Sequence, residues 1–245
     1  MNFSNINVAL IFLAVRISSR NIMTTQKQAK EEQYSGNFDF DKTELGWMTN
    51  QVWHEDPKRV VFVLSRYKFV AKMLAGKARV AEIGCGDAFG SRVVASEVGS
   101  LTVTDFDPLF VESITASPNK QWHDNALVHD ITAGPLVPNN QPFDAVYCLD
   151  VFEHIEAEKE HQIVENLKHS THDDGVVIIG IPSLESQQYA SPQSKIGHVN
   201  CKSGNDFKAL LETHFRHVFL FSMNDEVVHT GFYPMAHYLF AVCAK

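Results

Sequence analysis

Short apolar segments alternate with longer amphipathic ones along most of the chain, and their order predicts an α/β fold. Seven apolar runs have the length and β-branched content of strands: 79–83, 100–104, 126–129, 143–149, 175–181, 217–222 and 237–244. Helices are predicted between them at 91–98, 108–115, 156–170 and 204–215. An earlier helix is predicted to begin at Asp56-Pro57, a cap residue followed by proline, and to end at Gly76. Strands separated by helices favour a parallel sheet with helices on both faces.

The chain before this pattern divides into two segments. Residues 1–22 contain an apolar run, 8–15, that is too short to span a bilayer. Because Met23 opens a polar segment, we interpret residues 1–22 as a leader or an over-extended start. Residues 23–58 are polar but contain several aromatic side chains: Tyr34, Phe38, Phe40, Trp47 and Trp53. Such a segment is expected to dock as a lid onto the main domain, residues 59–245, with Trp47 and Trp53 closing over a ligand; plain packing is the alternative.

Charge and cysteine content limit the partners and the compartment. The chain has 21 Lys and Arg against 29 Asp and Glu, a net charge of −8. This lacks the basic excess that favours nucleic acid or anionic membranes, so neither is expected as a partner. The four cysteines are far apart and form no C-x-x-C motif. They are expected to be free thiols in a reducing cytoplasm rather than disulfides or a zinc site.

The junction after the first predicted strand is rich in glycine. Residues 82–90 read E-I-G-C-G-D-A-F-G, with the spacing G-x-G-x-x-x-G. This differs from the dinucleotide fingerprint, G-x-G-x-x-G, and from a P-loop, which needs Gly-Lys-Ser/Thr. Glycines here permit positive φ and close approach of a ligand to the backbone. A purely structural tight turn is the alternative interpretation.

Carboxylates follow the next two predicted strands. Asp105 lies 21 positions beyond Gly84, a spacing that suits hydrogen bonds to a ribose diol. Asp105 is alternatively an N-cap for the next helix, although Asp107 is better placed for that role. Asp130 ends the third strand, where a carboxylate followed by an apolar side chain, Ile131, suits recognition of adenine.

In this order and spacing, the junctions resemble the class I S-adenosylmethionine-dependent methyltransferases. The similar segments are E-I-G-C-G-D-A-F-G, D-F-D-P (105–108), H-D-I (129–131), F-D-A-V-Y-C-L-D-V-F-E-H-I (143–155), D-D-G-V-V-I-I-G-I-P (173–182) and G-H-V-N-C-K-S-G-N-D-F-K-A-L-L (197–211). The resemblance spans about residues 79–245, and Asp107 stands where the family commonly has serine. It implies a Rossmann-like α/β fold with a seven-stranded, mostly parallel sheet whose last strand is antiparallel, and with helices on both faces.

The resemblance also implies S-adenosyl-L-methionine as cofactor and S-adenosyl-L-homocysteine as product. Its implied contacts are distributed along the cofactor. The methionine end would meet Gly84, Cys85, Gly86 and the backbone of Leu149, with Glu82 organising the loop. The ribose would meet Asp105, and the adenine would meet Phe106, Asp130 and Ile131.

Candidate catalytic residues lie beyond the fourth and fifth strands. His154 follows the fourth strand, and His198 lies in the polar loop 191–200; each is a candidate for contacting or deprotonating a substrate, with a structural contact as the alternative. Asp150 and Glu153 join these histidines in a possible divalent-metal set. Because D-x-x-E-H segments are widespread in metal-free relatives, no metal is predicted.

The last loop, 223–233, is too polar for a plain connector. We expect Asn224, His229 and Tyr233 to contact a polar substrate; a solvated loop is the alternative. The hypothesis is therefore a cytoplasmic methyltransferase acting on a small polar molecule, by O-methylation of a sugar or another metabolite. The alternatives are a nicotinamide-dependent oxidoreductase on a related fold and a catalytically silent cofactor-binding module. No oligomeric state is predicted.

Overall fold

An eight-stranded sheet organises the part of the chain that the computed structural model describes, residues 43–117 and 122–245. The strands are β1 (Arg79–Ile83), β2 (Ser100–Asp105), β3 (Asn125–Val128), β4 (Phe143–Leu149), β5 (Thr171–Pro182), β6 (His217–Asn224), β7 (Val227–His229) and β8 (Tyr238–Ala244). The helices are α1 (Trp47–Glu55), α2 (Pro57–Met73), α3 (Ser91–Ala95), α4 (Pro108–Ala116), α5 (Glu160–His169), α6 (Pro192–Gly197) and α7 (Gly204–Glu212). Residues 44–245 belong to one compact unit.

The strand order is β3-β2-β1-β4-β5-β8-β6-β7, in which the first five strands are parallel. Strand β8 is antiparallel to both of its neighbours, β5 and β6. The predicted Rossmann-like fold class is confirmed, but the count of seven strands is wrong. The additional strand, β7, lies within the polar loop 223–233, where the chain turns back at Asp225 (φ 49°) and pairs with β6. Its three residues are too few to give a period-2 signal in the sequence.

Two apolar cores lie on opposite faces of the sheet, as successive side chains of β4 demonstrate. Val146 and Cys148 pack in the core that includes α5 and α7. Ala145, Tyr147 and Leu149 pack in the core that includes α2, α3 and α4. Because side chains alternate along a strand, helices on both faces require apolar residues at nearly every position of β4, which explains its continuous apolar run.

Several boundaries differ from the expectations. Strand β5 begins at Thr171, four residues before the expected start. The prediction missed these four residues because they are polar and show no strand pattern. Helix α1 was not expected, since its sequence lacks apolar periodicity and it buries none of its residues. The expected boundary at residues 58/59 falls inside α2. Residues 1–22 and 23–42 lie outside the described residues. Within the described ranges, no helix has both the length and the apolar character to cross a membrane.

The central strand β5 provides a test of the packing. We expect Ile179→Ala to lower the free energy of unfolding by about 2–5 kcal/mol, because the lost side chain leaves a cavity in a core that cannot fully collapse. Ile196→Ala is the matched control, since Ile179 is 0% exposed and Ile196 is 81% exposed. Urea unfolding followed by circular dichroism measures both. Equal losses for the two variants would contradict the placement of the core.

Candidate functional site

The carboxyl ends of the parallel strands meet at one edge of the sheet. Ile83 of β1 pairs with Cys148 of β4, so the segments after β1 and β4 emerge side by side. Leu149 in turn pairs with Gly180 of β5, and Pro182 pairs with Tyr238 at the start of β8. The site is therefore built from connections that leave this shared edge, as expected for a parallel sheet.

The glycine-rich loop after β1 requires its glycines for steric reasons. Gly84 and Gly86 have φ of 73° and 52°, in the left-handed region that side chains disfavour. A Cβ on Gly84 would lie 2.3 Å from Cγ2 of Val151, in the segment that follows β4. The backbone N–H groups of Gly84 and Cys85 both donate to the carbonyl oxygen of Thr104, at 2.8 and 2.9 Å. The loop is thus held between the ends of β2 and β4.

Glu82 is fully buried beneath this loop. Its Oε2 accepts a hydrogen bond of 2.7 Å from the hydroxyl of Tyr147. Burial disfavours the charged form and raises the pKa of Glu82 to about 7, although the hydrogen bond from Tyr147 and the nearby hydroxyls of Ser91 and Tyr67 oppose that shift. The Thr104 hydroxyl donates to the backbone carbonyl of Glu82 at 2.9 Å. Glu82 is therefore a fixed structural support beneath the loop.

Asp105 links the end of β2 to the glycine-rich loop. Its Oδ2 accepts from the N–H of Gly86 at 2.9 Å, and its Oδ1 accepts from the N–H of Asp107 at 3.0 Å. Asp107 caps α4 by accepting from the N–H of Leu109 at 2.9 Å, so the N-cap role belongs to Asp107 and not to Asp105. The neighbouring Phe106 is 73% exposed, free to contact a ligand plane from outside.

The predicted adenine-contacting residues lie at the end of β3. Asp130 is exposed, and its Oδ1 accepts from the N–H of Thr132 at 2.8 Å. The side chain of Ile131 is buried in the core, while its carbonyl accepts from the Asn166 amide at 2.7 Å. Neither residue is among the described lining residues of the cavity discussed next.

A cavity of about 630 Å³ opens between the glycine-rich loop and the segments that follow β4 and β5. This volume is in the range that holds a small organic ligand. Gly84, Cys85, Gly86 and Leu149, predicted for the methionine end of the cofactor, all line it. The polar residues of the lining are Thr49, Arg59, Arg66, Tyr67, Asp87, Asp150, Glu153, His154, Ser186, Gln187, Tyr189, Ser191, Ser194, His198 and His237.

Helix α1 covers one side of the cavity through Met48, Thr49 and Val52. Asp87 of the glycine-rich loop holds the helix: its Oδ2 accepts from the N–H of Thr49 at 2.7 Å, and its Oδ1 accepts from the Thr49 hydroxyl at 3.1 Å. A carboxylate that accepts from an N–H of the first turn is favoured by the positive end of the helix dipole. The tryptophans expected to close the lid, Trp47 and Trp53, are instead 61% and 51% exposed and do not line the cavity.

An ion pair between the buried Arg66 and the exposed Asp150 fixes the segment after β4. Asp150 has φ of 56°, and both of its carboxylate oxygens accept from Nη1 of Arg66, at 2.8 and 2.6 Å. The Arg66 guanidinium lies 3.8 Å from the ring centroid of Tyr238, a cation–π contact. A buried charge is tolerated when it is paired and hydrogen-bonded, as Arg66 is here.

The structure brings together the two predicted catalytic histidines. Their ring centroids are 5.1 Å apart. Nδ1 of His154 lies 2.9 Å from the carbonyl oxygen of Gly197, and Nδ1 of His198 lies 2.8 Å from Oε1 of Gln187. Burial and the neighbouring His154 lower the pKa of His198, while Asp150 opposes that shift. His198 is therefore held in its neutral, basic form near neutral pH.

Glu153 lies beside this pair and is 1% exposed. Its Oε2 has no hydrogen-bond partner among the described residues. Burial, together with the nearby Asp150 carboxylate, holds the pKa of Glu153 well above its usual value. One ligand atom from each of Glu153, His154 and His198 lies within 4.8 Å of the others.

The predicted substrate-contacting residues of the last loop bond to other groups of the protein and do not line the cavity. Nε2 of His229 lies 2.9 Å from Oδ1 of Asn224, and Tyr233 hydrogen-bonds Asn205. The loop reaches the cavity through His237, whose Nε2 accepts from the N–H of Asp225 at 2.6 Å. The predicted substrate contacts of Asn224, His229 and Tyr233 stay predictions.

Sequence reasoning missed several lining residues: Arg66, Asp87, Gln187 and His237. The position of Arg66 could have been noticed in the sequence, because it is a cation on the helix face that buries Val60 and Val70. Asp87 lies inside the glycine-rich motif, but only the position of α1 explains its role. Nothing in the sequence singles out Gln187 or His237, since their contacts depend on how distant loops fold.

Comparisons with known proteins agree with this geometry. Residues 81–177 match the family model described as a methyltransferase domain. This match agrees with the resemblance to the class I S-adenosylmethionine-dependent methyltransferases that the sequence motifs carry. A left-handed glycine loop beside an acidic residue at the end of β2 is the arrangement expected for S-adenosylmethionine. The nicotinamide oxidoreductase and silent-module alternatives are not favoured.

A curated relative of this chain is the ubiquinone biosynthesis O-methyltransferase of Rickettsia typhi, 24% identical over 160 residues. That match spans 61% of this chain and 61% of the relative's length. Two solved structures share the fold. N-methyltransferase NodS from Bradyrhizobium japonicum, in complex with S-adenosylhomocysteine, has a TM-score of 0.57 at 14% identity, covering 78% of this chain and 89% of its own. Small RNA methyltransferase HEN1 has a TM-score of 0.58 at 14% identity, covering 84% of this chain and 27% of its own.

The position of Asp105 predicts its effect on cofactor affinity. We expect Asp105→Asn to weaken S-adenosylhomocysteine binding by about 10- to 100-fold, the loss of a charged hydrogen bond. Asp144→Asn is the control, because Asp144 also accepts a backbone N–H, that of Arg79 at 2.7 Å, but at the opposite edge of the sheet. Calorimetric titration measures both, in parallel with NADH. Unchanged affinity in Asp105→Asn, or NADH binding without S-adenosylhomocysteine binding, would contradict the assignment.

Glu82 predicts a pH dependence of stability. Between pH 4.5 and about 7 the folded state keeps a proton on Glu82 that the unfolded state releases, so the free energy of unfolding falls as pH rises through this window. The slope from this one group is at most about 1.4 kcal/mol per pH unit. Urea unfolding at several pH values should show a shallower fall for Glu82→Gln than for the wild type. Glu112→Gln, a change at an exposed side chain, should leave the slope as it is; identical slopes in all three proteins would refute the assignment.

Proposed function

We propose that this methyltransferase transfers the methyl group of S-adenosylmethionine to an oxygen of a small polar molecule, a sugar or another hydroxylated metabolite. The observation that carries the proposal is the His154–His198 pair inside the same cavity as Gly84 and Leu149. Proton acceptors are thus placed beside the expected methionine end of the cofactor, where the methyl group is transferred. The name of the curated O-methyltransferase relative supports oxygen as the acceptor, whereas the fold of an N-methyltransferase does not oppose it.

His198 suits the part of general base. The cofactor supplies an already activated methyl group, so the protein must orient a nucleophile and accept its proton. Gln187 Oε1 is an acceptor and therefore fixes the tautomer with hydrogen on Nδ1 of His198, which leaves the Nε2 lone pair for a substrate hydroxyl. The Gly197 carbonyl acts in the same way on His154. A lowered pKa keeps His198 able to accept a proton.

The walls of the cavity favour a small hydroxylated acceptor over nucleic acid. Hydroxyl and amide side chains from the segment after β5 line it, namely Ser186, Gln187, Ser191 and Ser194. Of its two arginines, Arg66 is already paired with Asp150, which leaves Arg59 as the arginine available to an anion. The net charge of −8 also opposes binding to a phosphate backbone.

In this proposal, helix α1 and the last loop support the cavity without taking part in the chemistry. Helix α1, held by Asp87, covers the methionine end of the cofactor with Met48 and Val52. Asn224, His229 and Tyr233 brace the loop that brings His237 to the cavity, and they contact only the distal part of a larger acceptor.

A transfer assay tests the acceptor class. Methyl-labelled S-adenosylmethionine is incubated with sugars, nucleotide sugars, phenols, primary amines and short oligoribonucleotides, and the products are identified by mass spectrometry. We expect O-methylation of a hydroxylated small molecule. Removing a general base should lower kcat by about 10²- to 10⁴-fold in His198→Ala. His214→Ala is the control, since His214 bonds Glu165 outside the cavity lining.

Two outcomes would refute this proposal. Preferential labelling of amines or oligoribonucleotides would assign a different acceptor. Wild-type kcat in His198→Ala, with the acceptor established, would remove His198 from the chemistry.

A further inference from the structure

We propose that Glu153, His154 and His198 bind one divalent transition-metal ion in the cavity that they line. The inference rests on the proposed function for the position of the acceptor oxygen, and it changes the part played by His198, because an Nε2 atom bound to the ion cannot also accept the acceptor's proton. A ligand atom of each residue lies within 4.8 Å of the others. Ligand atoms of a tetrahedral zinc site are about 3.3 Å apart, so side-chain movements of about 1 Å complete the set.

Both histidines are oriented as metal-binding histidines are. The Gln187 side-chain oxygen lies 2.8 Å from Nδ1 of His198, and the Gly197 carbonyl oxygen lies 2.9 Å from Nδ1 of His154. Each acceptor fixes the hydrogen on Nδ1 and leaves the Nε2 lone pair of that ring free. An outer partner on the second ring nitrogen is the usual arrangement around protein-bound metal ions.

Glu153 supplies the independent observation that something is missing from this cluster. Its carboxyl group is 1% exposed, and Oε2 has no hydrogen-bond partner among the described residues. A buried carboxylate oxygen is costly unless a donor or a cation meets it. Arg66 does not meet this oxygen with a hydrogen bond: its Nη1 donates to both oxygens of Asp150, and its Nε has no hydrogen-bond partner among the described residues.

The same ion pair excludes Asp150 from the ligand set. The remaining set has two imidazole nitrogens and one carboxylate oxygen, which favours zinc, manganese, iron or cobalt over magnesium or calcium, since the last two prefer oxygen ligands. Three protein ligands leave coordination positions for water or for an acceptor oxygen. An ion there would make the acceptor hydroxyl more acidic, so that its proton is lost to solvent as the new O–CH₃ bond forms and the S–CH₃ bond breaks.

A second cluster of the same residue types serves as an internal control. Nδ1 of His161 lies 2.8 Å from Nε2 of His214, whose Nδ1 lies 2.6 Å from Oε1 of Glu165. These groups satisfy one another directly, and nitrogens 2.8 Å apart leave no room for an ion between them. Similar composition with different geometry therefore predicts no metal binding at His161, His214 and Glu165.

The test measures metal binding without any assay of activity. The full chain, freed of metal with a chelator, is titrated with Zn²⁺ by calorimetry and with Co²⁺ by visible absorption. We expect one ion per chain, together with cobalt bands of a site with nitrogen ligands. His198→Ala and Glu153→Gln should weaken binding at least tenfold, and His214→Ala should leave it within twofold. Because Glu153 is buried, His154→Ala is included as a variant at an exposed side chain, and circular dichroism establishes that each variant is folded.

The results separate this inference from the proposed function. Absence of saturable binding, or equal Zn²⁺ affinity in the wild type, His198→Ala and His154→Ala, would overturn the metal site. In that event O-methylation that survives the chelator would leave His198 as a general base. Conversely, stoichiometric Zn²⁺ binding lost in His198→Ala, with no hydroxylated acceptor methylated, would support the metal site and refute the proposed acceptor class.

Discussion

The contact between the glycine-rich loop and the segment after β4 is the constraint on which the site depends. Gly84 adopts a left-handed backbone, and a Cβ there would meet Val151 at 2.3 Å. Because this contact leaves no room for a side chain at Gly84, the loop backbone packs directly against the Val151 side chain at the β4 exit. Gly84 and Leu149, predicted for the cofactor, therefore line the same cavity as His154 and His198, proposed to meet the acceptor. Methyl transfer needs this proximity, since its rate depends on alignment more than on any single functional group.

The Arg66–Asp150 pair adds a second constraint, and it links the N-terminal helix α2 to the catalytic edge. Asp150 adopts φ of 56°, a conformation that costs a residue with a side chain about 1 kcal/mol or more. Two short hydrogen bonds from Arg66 offset that cost and hold the next turn, which carries Glu153 and His154. The pair also neutralises Asp150. A buried Glu153 thus has a neighbour whose charge is already balanced, which limits the repulsion between the two carboxylates.

The sequence was informative where a local pattern has one physical cause. Apolar runs bounded by turn residues located the strands, and the spacing of Gly84, Gly86 and Asp105 indicated the cofactor edge. Sequence could not locate β7, because three residues give no periodicity, or α1, because α1 is held by the distant Asp87 and not by an apolar face. The loop 223–233 was distinctive in composition. Its polar groups, however, bond to other protein groups, such as His229 to Asn224 and Tyr233 to Asn205, and composition does not encode this pairing.

In the proposed function, selection of the acceptor would depend most on the segment between β5 and α7. The two ends of the segment are held together, because Ser183 forms a parallel bridge with Lys202, and Lys202 forms an ion pair with Glu160 at 2.7 Å. Its outer part is exposed, with Tyr189 at 84% and Ile196 at 81%. Gln187 and His198 are half-buried and lie between the anchored ends of the segment and its exposed rim. In the proposed function, substitutions at the rim would change the accepted molecule while His198 keeps its position, because the rim lies outside the strand pairing that holds the glycine-rich loop.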